Sequence, residues 1–222
     1  MMPRIRALIA LLGLAAAGAA AVALFVWRAT PHGLPPTSPT PLRIEIGGRP
    51  LSIPANTVRF DEQRVAGPHG EIDLALVWPE LEGRSAATAS RLDTPNYAAD
   101  VLHLSIRPRQ DAWDSAARLA AVYARFFIGE PWAGPAGLQG RRLSPKSGYA
   151  DEVIWHEPGA VRPFVARCFP LAAGDPAKMC LRDVVHGTLL VTVRFPEAML
   201  DHWRDFDAAL DGRLAAWGVE VR

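Results

Sequence analysis

Residues 164–185 read FVARCFPLAAGDPAKMCLRDVV, and this stretch decides the fold. Two runs rich in Val, Phe and Cys, at 164–169 and 179–185, flank a middle that holds Pro170, Gly174, Asp175 and Pro176. Apolar, β-prone runs separated by turn formers predict a β-hairpin. That hairpin places Cys168 opposite Cys180 and Phe164 opposite Val184. The two cysteines are the whole complement of the chain. An even, minimal count in an exported protein favours a disulfide. The bridge would close a loop of about 13 residues, worth on the order of 3 kcal/mol in the chain-entropy account. Two free thiols, or a redox or metal pair, are the competing readings; the spacing is not Cys-x-x-Cys, which weakens the last.

Working outward, residues 188–195 (TLLVTVRF) predict a further strand. Pro196 suits the first turn of a closing helix. In that helix Leu200, Trp203, Phe206, Asp207, Leu210, Leu214 and Trp217 trace one stripe, with Asp207 its only polar member. Towards the front, residues 42–46 and 51–53 alternate around Gly47-Gly48, a tight hairpin. Residues 72–78 and 101–106 are strands, and shorter ones are expected near 141–144 and 151–156. A helix is predicted to run from a cap at Asp111 to Phe127, with Trp113, Ala116, Ala117, Ala120, Tyr123 and Ala124 at helical spacing. Strands outnumber helices and short loops join them. The expected class is therefore α+β, a mostly antiparallel sheet with two main amphipathic helices.

The amino terminus sets the address. Residues 7–26 are 20 uncharged, mostly apolar residues behind Arg4 and Arg6 and ahead of Trp27-Arg28. A helix of that length spans about 30 Å of hydrocarbon. The run exceeds the usual signal-peptide core, so a retained single transmembrane helix is preferred to a cleaved signal. Flanking arginines leave the first residues in the cytoplasm and export the rest. Arginine outnumbers lysine 22 to two, a bias of GC-rich bacterial genomes, which makes the outer side a periplasm. Residues 29–41 (ATPHGLPPTSPTP) hold five prolines and read as a semi-rigid spacer. The expected organisation is a stub and anchor over 1–28, a Pro-rich periplasmic linker over 29–41, and one periplasmic domain over 42–222.

The formal net charge is +1 and the basic residues are scattered. Phosphate backbones require concentrated cations, so nucleic acid is excluded as a partner. No Gly-x-Ser-x-Gly or Ser-x-x-Lys nucleophile motif occurs, and none of the six histidines forms a His-x-x-x-His or His-Glu-x-x-His pair. Lys146-Ser147-Gly148 reads as a polar turn. His156, Asp183 and His186 could converge if their strands were neighbours. No catalytic residue, metal ligand or cofactor is assigned. Of the seven tryptophans, Trp113, Trp203 and Trp217 fall on predicted apolar helix faces. Trp132, in the Gly/Pro-rich stretch 129–135, has little to bury it; folding back onto the domain is the preferred reading, and a partner contact or a membrane-dipping residue is the alternative.

Residues 51–60 (LSIPANTVRF), the Asp73-Leu74-x-Leu76-x-Trp78-Pro79-x-Leu81-Glu82-Gly83 segment, Cys180-x-Arg182-Asp183 and residues 191–196 (VTVRFP) carry a resemblance. On these the chain resembles a group of uncharacterised membrane-anchored proteins of alphaproteobacteria. The resemblance implies the anchored architecture and names no active site. The reading at this level is a binding or accessory module of the bacterial cell envelope, anchored in the inner membrane through residues 7–26, with an envelope protein as partner. Its alternative is a periplasmic hydrolase acting on an envelope component.

Overall fold

Alternation of buried and exposed residues organises the chain from its first strand. The computed structural model describes residues 37–93, 100–149, 151–172 and 177–221. The apolar run 7–26 and all but the end of the spacer lie outside the described residues. Among the described residues no helix is long and apolar enough to cross a membrane. β1 (Pro41–Ile46) and β2 (Arg49–Pro54) form the expected hairpin, and β3 (Gly67–His69) runs parallel to β1 on its other side. Gly47 and Gly48 turn the hairpin at positive φ, 56° and 78°, a region that penalises a side chain.

The main sheet has eight strands. They are β4 (Ile72–Val77), β5 (Val101–Pro108), β6 (Phe127–Ala133), β7 (Gln139–Leu143), β8 (Val153–His156), β9 (Val165–Pro170), β10 (Lys178–His186) and β11 (Leu189–Pro196). Their spatial order is β4-β5-β11-β10-β9-β8-β7-β6, every neighbour antiparallel. Six consecutive strands thus form a meander from β6 to β11, and the β4–β5 pair is added beyond β11.

Both faces of this sheet are used. Along β8, Val153 and Trp155 join the main core while Ile154 joins a second cluster with Tyr123, Leu143 and Val165. Successive side chains point to opposite faces, so the two clusters lie on the two sides of the sheet. The main core is closed by α3 (Trp203–Ala216), whose Trp203, Phe206, Leu210 and Leu214 are buried, with Trp217 just beyond. Phe206 meets Phe195 at 5.0 Å and Trp78 at 5.9 Å between ring centroids, and Trp203 meets Phe164 at 4.7 Å. The stripe read from the sequence is the face that packs. α2 (Ser115–Ala121) covers the second cluster, and a single turn, α1 (Ala89–Leu92), precedes β5.

Two expectations are corrected. The helix expected from Asp111 to Phe127 is only the seven residues of α2. Its cap is Asp114, whose carboxylate accepts the Ala117 amide at 2.7 Å. Trp113 therefore precedes the helix and is exposed, instead of lying on a buried face. The helical stripe was carried largely by alanines, which bury little area. Tyr123, Phe126 and Phe127 bury more by turning through a 3-10 segment and into β6, against Leu143 and Ile154. The second correction concerns register. Cys168 is opposite Cys180 as expected, but the β9–β10 ladder ends at Arg167 opposite Leu181, and Phe164 precedes β9.

Candidate functional site

The Cys168–Cys180 disulfide joins β9 to β10 across the strands, with 4.0 Å between Cα atoms and both sulfurs in the main core. So close a pair is the non-hydrogen-bonded kind, in which main-chain groups point away from the partner strand. Residues 181, 183 and 185 of β10 therefore aim their amides and carbonyls towards β9. Beyond Leu181 the pairing with β9 stops, since Ala166 and Val165 of β9 pair with β8 only, while β10 runs on to His186 paired with β11 alone. A notch opens in the sheet at this point.

Polar side chains line the notch from both faces. The Asp183 amide donates to Ser115 Oγ at 2.9 Å, so the first residue of α2 stands in for the missing strand. The Asp183 carboxylate, on the same face, accepts from Arg118 Nη1 and Thr192 Oγ1, each at 2.6 Å. On the opposite face Arg182 donates through Nη2 to Asp207 on α3 at 2.8 Å, and its guanidinium stacks 4.3 Å from the Phe164 ring centroid. His186, 4% exposed, has Nε2 3.8 Å from Asp211 Oδ1, one turn after Asp207. Burial raises the carboxyl pKa values of Asp207 and Asp211 and lowers that of Arg182. Between these groups is a cavity of about 150 Å3 reached by Asp114, Arg162, Arg182, Asp183, His186 and Asp211.

The residues singled out from the sequence fall differently. His156, Asp183 and His186 do not converge. β9 separates β8 from β10, and Asp183 and His186 point to opposite faces. Trp132 lies on β6, the edge strand, and is 36% exposed. Its ring meets Trp155 edge to face at 5.5 Å, and both rings cover Gly140, where a Cβ would lie within 3.0 Å of each. Part of Trp132 is thus folded back on the domain and part is free to meet another surface. Lys146 and Ser147 form a short 3-10 turn, as read. The notch itself escaped the sequence reading because its residues come from five separate segments. Asp207, the lone polar member of the helix stripe, and the candidates Asp183 and His186 were its visible traces.

His103 sits mid-strand on the face away from Leu102 and Leu104, as expected. Burial chiefly, then Arg59 and Arg194, lowers its pKa to about 4. The unfolded chain titrates its histidine near 6.5, so between the two values it binds the extra proton. The domain should lose stability as pH falls from about 6.5 towards 4, by roughly 2–3 kcal/mol after allowing for partial exposure. Asp207 and Asp211 act in the opposite sense, since protonation relieves their buried charge. The His103→Gln variant isolates the histidine: urea midpoints for it should fall less steeply over this window than for the parent. Parallel curves would contradict the assignment.

The frame that results is an α+β domain with a two-faced antiparallel sheet and an interrupted strand pairing. No family model and no curated protein matches the chain. Two solved structures match the chain. One is Smlt3025, an immunity protein of the Stenotrophomonas maltophilia type IV secretion system. It is 16% identical with a TM-score of 0.54, and the match covers 80% of this chain and 93% of that one. The other is the Neisseria meningitidis iron-regulated outer membrane lipoprotein FrpD, 10% identical with a TM-score of 0.45 over 75% of this chain and 85% of that one.

Proposed function

We propose that this protein is a binding module of the bacterial cell envelope, of the immunity kind, that holds a secreted protein partner and has no catalysis of its own. Residues 7–26 anchor it in the inner membrane and the domain works in the periplasm. The observation that carries the reading is the fold likeness to an immunity protein over 80% of this chain and nearly all of that one. The buried disulfide supports an oxidising compartment. The anchor and the proline-rich spacer would keep the domain near the membrane, where an incoming protein must pass. Trp132 is one aromatic contact available to a partner on the β6 edge.

In-cell crosslinking of the tagged full-length protein, followed by mass spectrometry, tests this. A form with residues 1–28 replaced by a cleavable signal runs beside it. The expected result is one discrete envelope or secreted protein, captured more efficiently by the anchored form, that rebinds after purification. Failure to recover any specific protein with either form would remove the binding reading.

A further inference from the structure

We propose that the side of strands β4, β5 and β11 facing away from the main core, with the loop 59–66 at its rim, is the partner-docking surface, and that it takes an acidic segment of the protein partner whose carboxylates pair with Arg59 and Arg194. The proposal rests on the binding reading above and deepens it.

The first observation is the face itself. Register sets Asp73 opposite Ser105 and Ser105 opposite Thr192, and in the next row Ala75 opposite His103 and His103 opposite Arg194. These six alternate with core residues such as Leu74, Leu104 and Val193, so they share the side turned away from the main core. α2 covers the second cluster, which the sheet builds from β7, β8 and β9, and none of the six belongs to either cluster. All six are at least partly exposed, although β5 and β11 lie inside the sheet and are paired on both edges.

The second observation is charge. Val58 bridges Leu74 on the outer side of β4 and is part of the main core. Arg59, next in this extended piece, donates its amide to the Asp73 carbonyl at 2.9 Å and turns its side chain to the other side. Behind burial, Arg59 and Arg194 are what lowers the pKa of His103, so both cations stand close to its ring. Neither arginine forms an ion pair among the described residues.

The carboxylates on this side are engaged. Asp73 accepts from Gln63 Nε2 at 3.0 Å, Glu71 accepts from Ser105 Oγ, and Asp183 accepts from Arg118 and Thr192. In the loop Asp61 is held by Arg64, which leaves Glu62 as its one exposed acid. Two guanidinium groups without a counter-charge are suited to carboxylates, which they meet with paired hydrogen bonds. An anionic bilayer is attracted by clusters of about four to eight basic residues, and a phosphate backbone also needs concentrated cations. Even with Arg107 of β5 on the same side, this face has only three arginines. The carboxylates of a protein are the anions that match so few cations.

The third observation is apolar surface in the same loop. Phe60 is 41% exposed and Val65 60%, and the Arg59 guanidinium lies 5.1 Å from the Phe60 ring centroid. Arginine beside an exposed aromatic ring is a combination enriched at the centres of protein interfaces.

The test places a photo-reactive phenylalanine analogue at position 60, 65, 113 or 132 of the full-length protein in the producing cells, and identifies the adducts by mass spectrometry. Positions 60 and 65 should crosslink to the same protein, in a segment containing Asp or Glu. The paired variant Arg59→Gln and Arg194→Gln should reduce that yield at least about tenfold. The paired variant Arg59→Lys and Arg194→Lys keeps the charge and should lose less. Both positions are exposed, so the variants should melt at the parent temperature, which thermal unfolding verifies. Protein crosslinks confined to positions 113 or 132 would overturn this face and leave the binding reading standing. Crosslinks at 60 and 65 that survive the glutamine variant, or that fall in a segment without Asp or Glu, would overturn the acidic occupant. Phospholipid adducts at 60 and 65, with protein captured only elsewhere, would make the face a membrane contact and overturn the proposal. No protein crosslink at any position would overturn both the face and the binding reading.

Discussion

Replacing Arg182 by Met should destabilise the domain by about 3–5 kcal/mol, and replacing Asp207 by Leu in the same chain should restore most of the loss. The side chains of this pair are 12% and 27% exposed and meet at 2.8 Å between β10 and α3. Burial lowers the arginine pKa and raises the aspartate pKa, and each charge opposes that shift in the other. Without Arg182, the Asp207 carboxylate loses its hydrogen-bonded cation while Asp211 stays one helical turn away. The single-variant loss should shrink as pH falls, because protonating Asp207 relieves it. The four chains of a double-mutant cycle, unfolded in urea at two pH values, measure this directly. Losses that simply add, with coupling below about 0.5 kcal/mol, would show the pair to be incidental.

Removing the disulfide is the second large change. The Cys168→Ala and Cys180→Ala double variant should lose about 3 kcal/mol from the closed loop, whose ends are 12 residues apart in sequence. Both sulfurs also sit in the main core, so some packing is lost as well. The effect should not stay local. β9 is the last strand to pair with β10 before the notch, and the bridge is three residues from Val165, where β9 begins. Loosening β9 should move Phe164 and, with it, the stacked Arg182. Urea unfolding with and without reductant checks the result; an unchanged midpoint on reduction would contradict it.

The sequence was most legible where pairing is local. The Cys168–Cys180 hairpin carries its own turn residues, and the α3 stripe is built from large side chains whose burial is worth enough to hold the period. It was least legible where pairing is distant. Nothing in residues 101–108 says that they lie between β4 and β11, because strand neighbours of high sequence separation leave no local mark. The overlong second helix failed for a different reason: an alanine stripe has the right spacing and too little area. That error hid the candidate site. Once Trp113 was placed on a buried face, it could not be seen as an exposed residue beside Asp114. Asp207 was visible as a blemish, yet its partner lies 25 residues away on a strand.

The most direct measurement of the central claim is a titration of the captured partner, purified, with the purified full-length protein, following complex formation and the partner's own activity together. A protein-binding module of the immunity kind predicts a saturable one-to-one complex, with Kd on the order of 1 μM or tighter, and partner activity that falls in proportion to the complex formed. Absence of a complex, or turnover of the partner or an envelope component by this protein, would contradict the account.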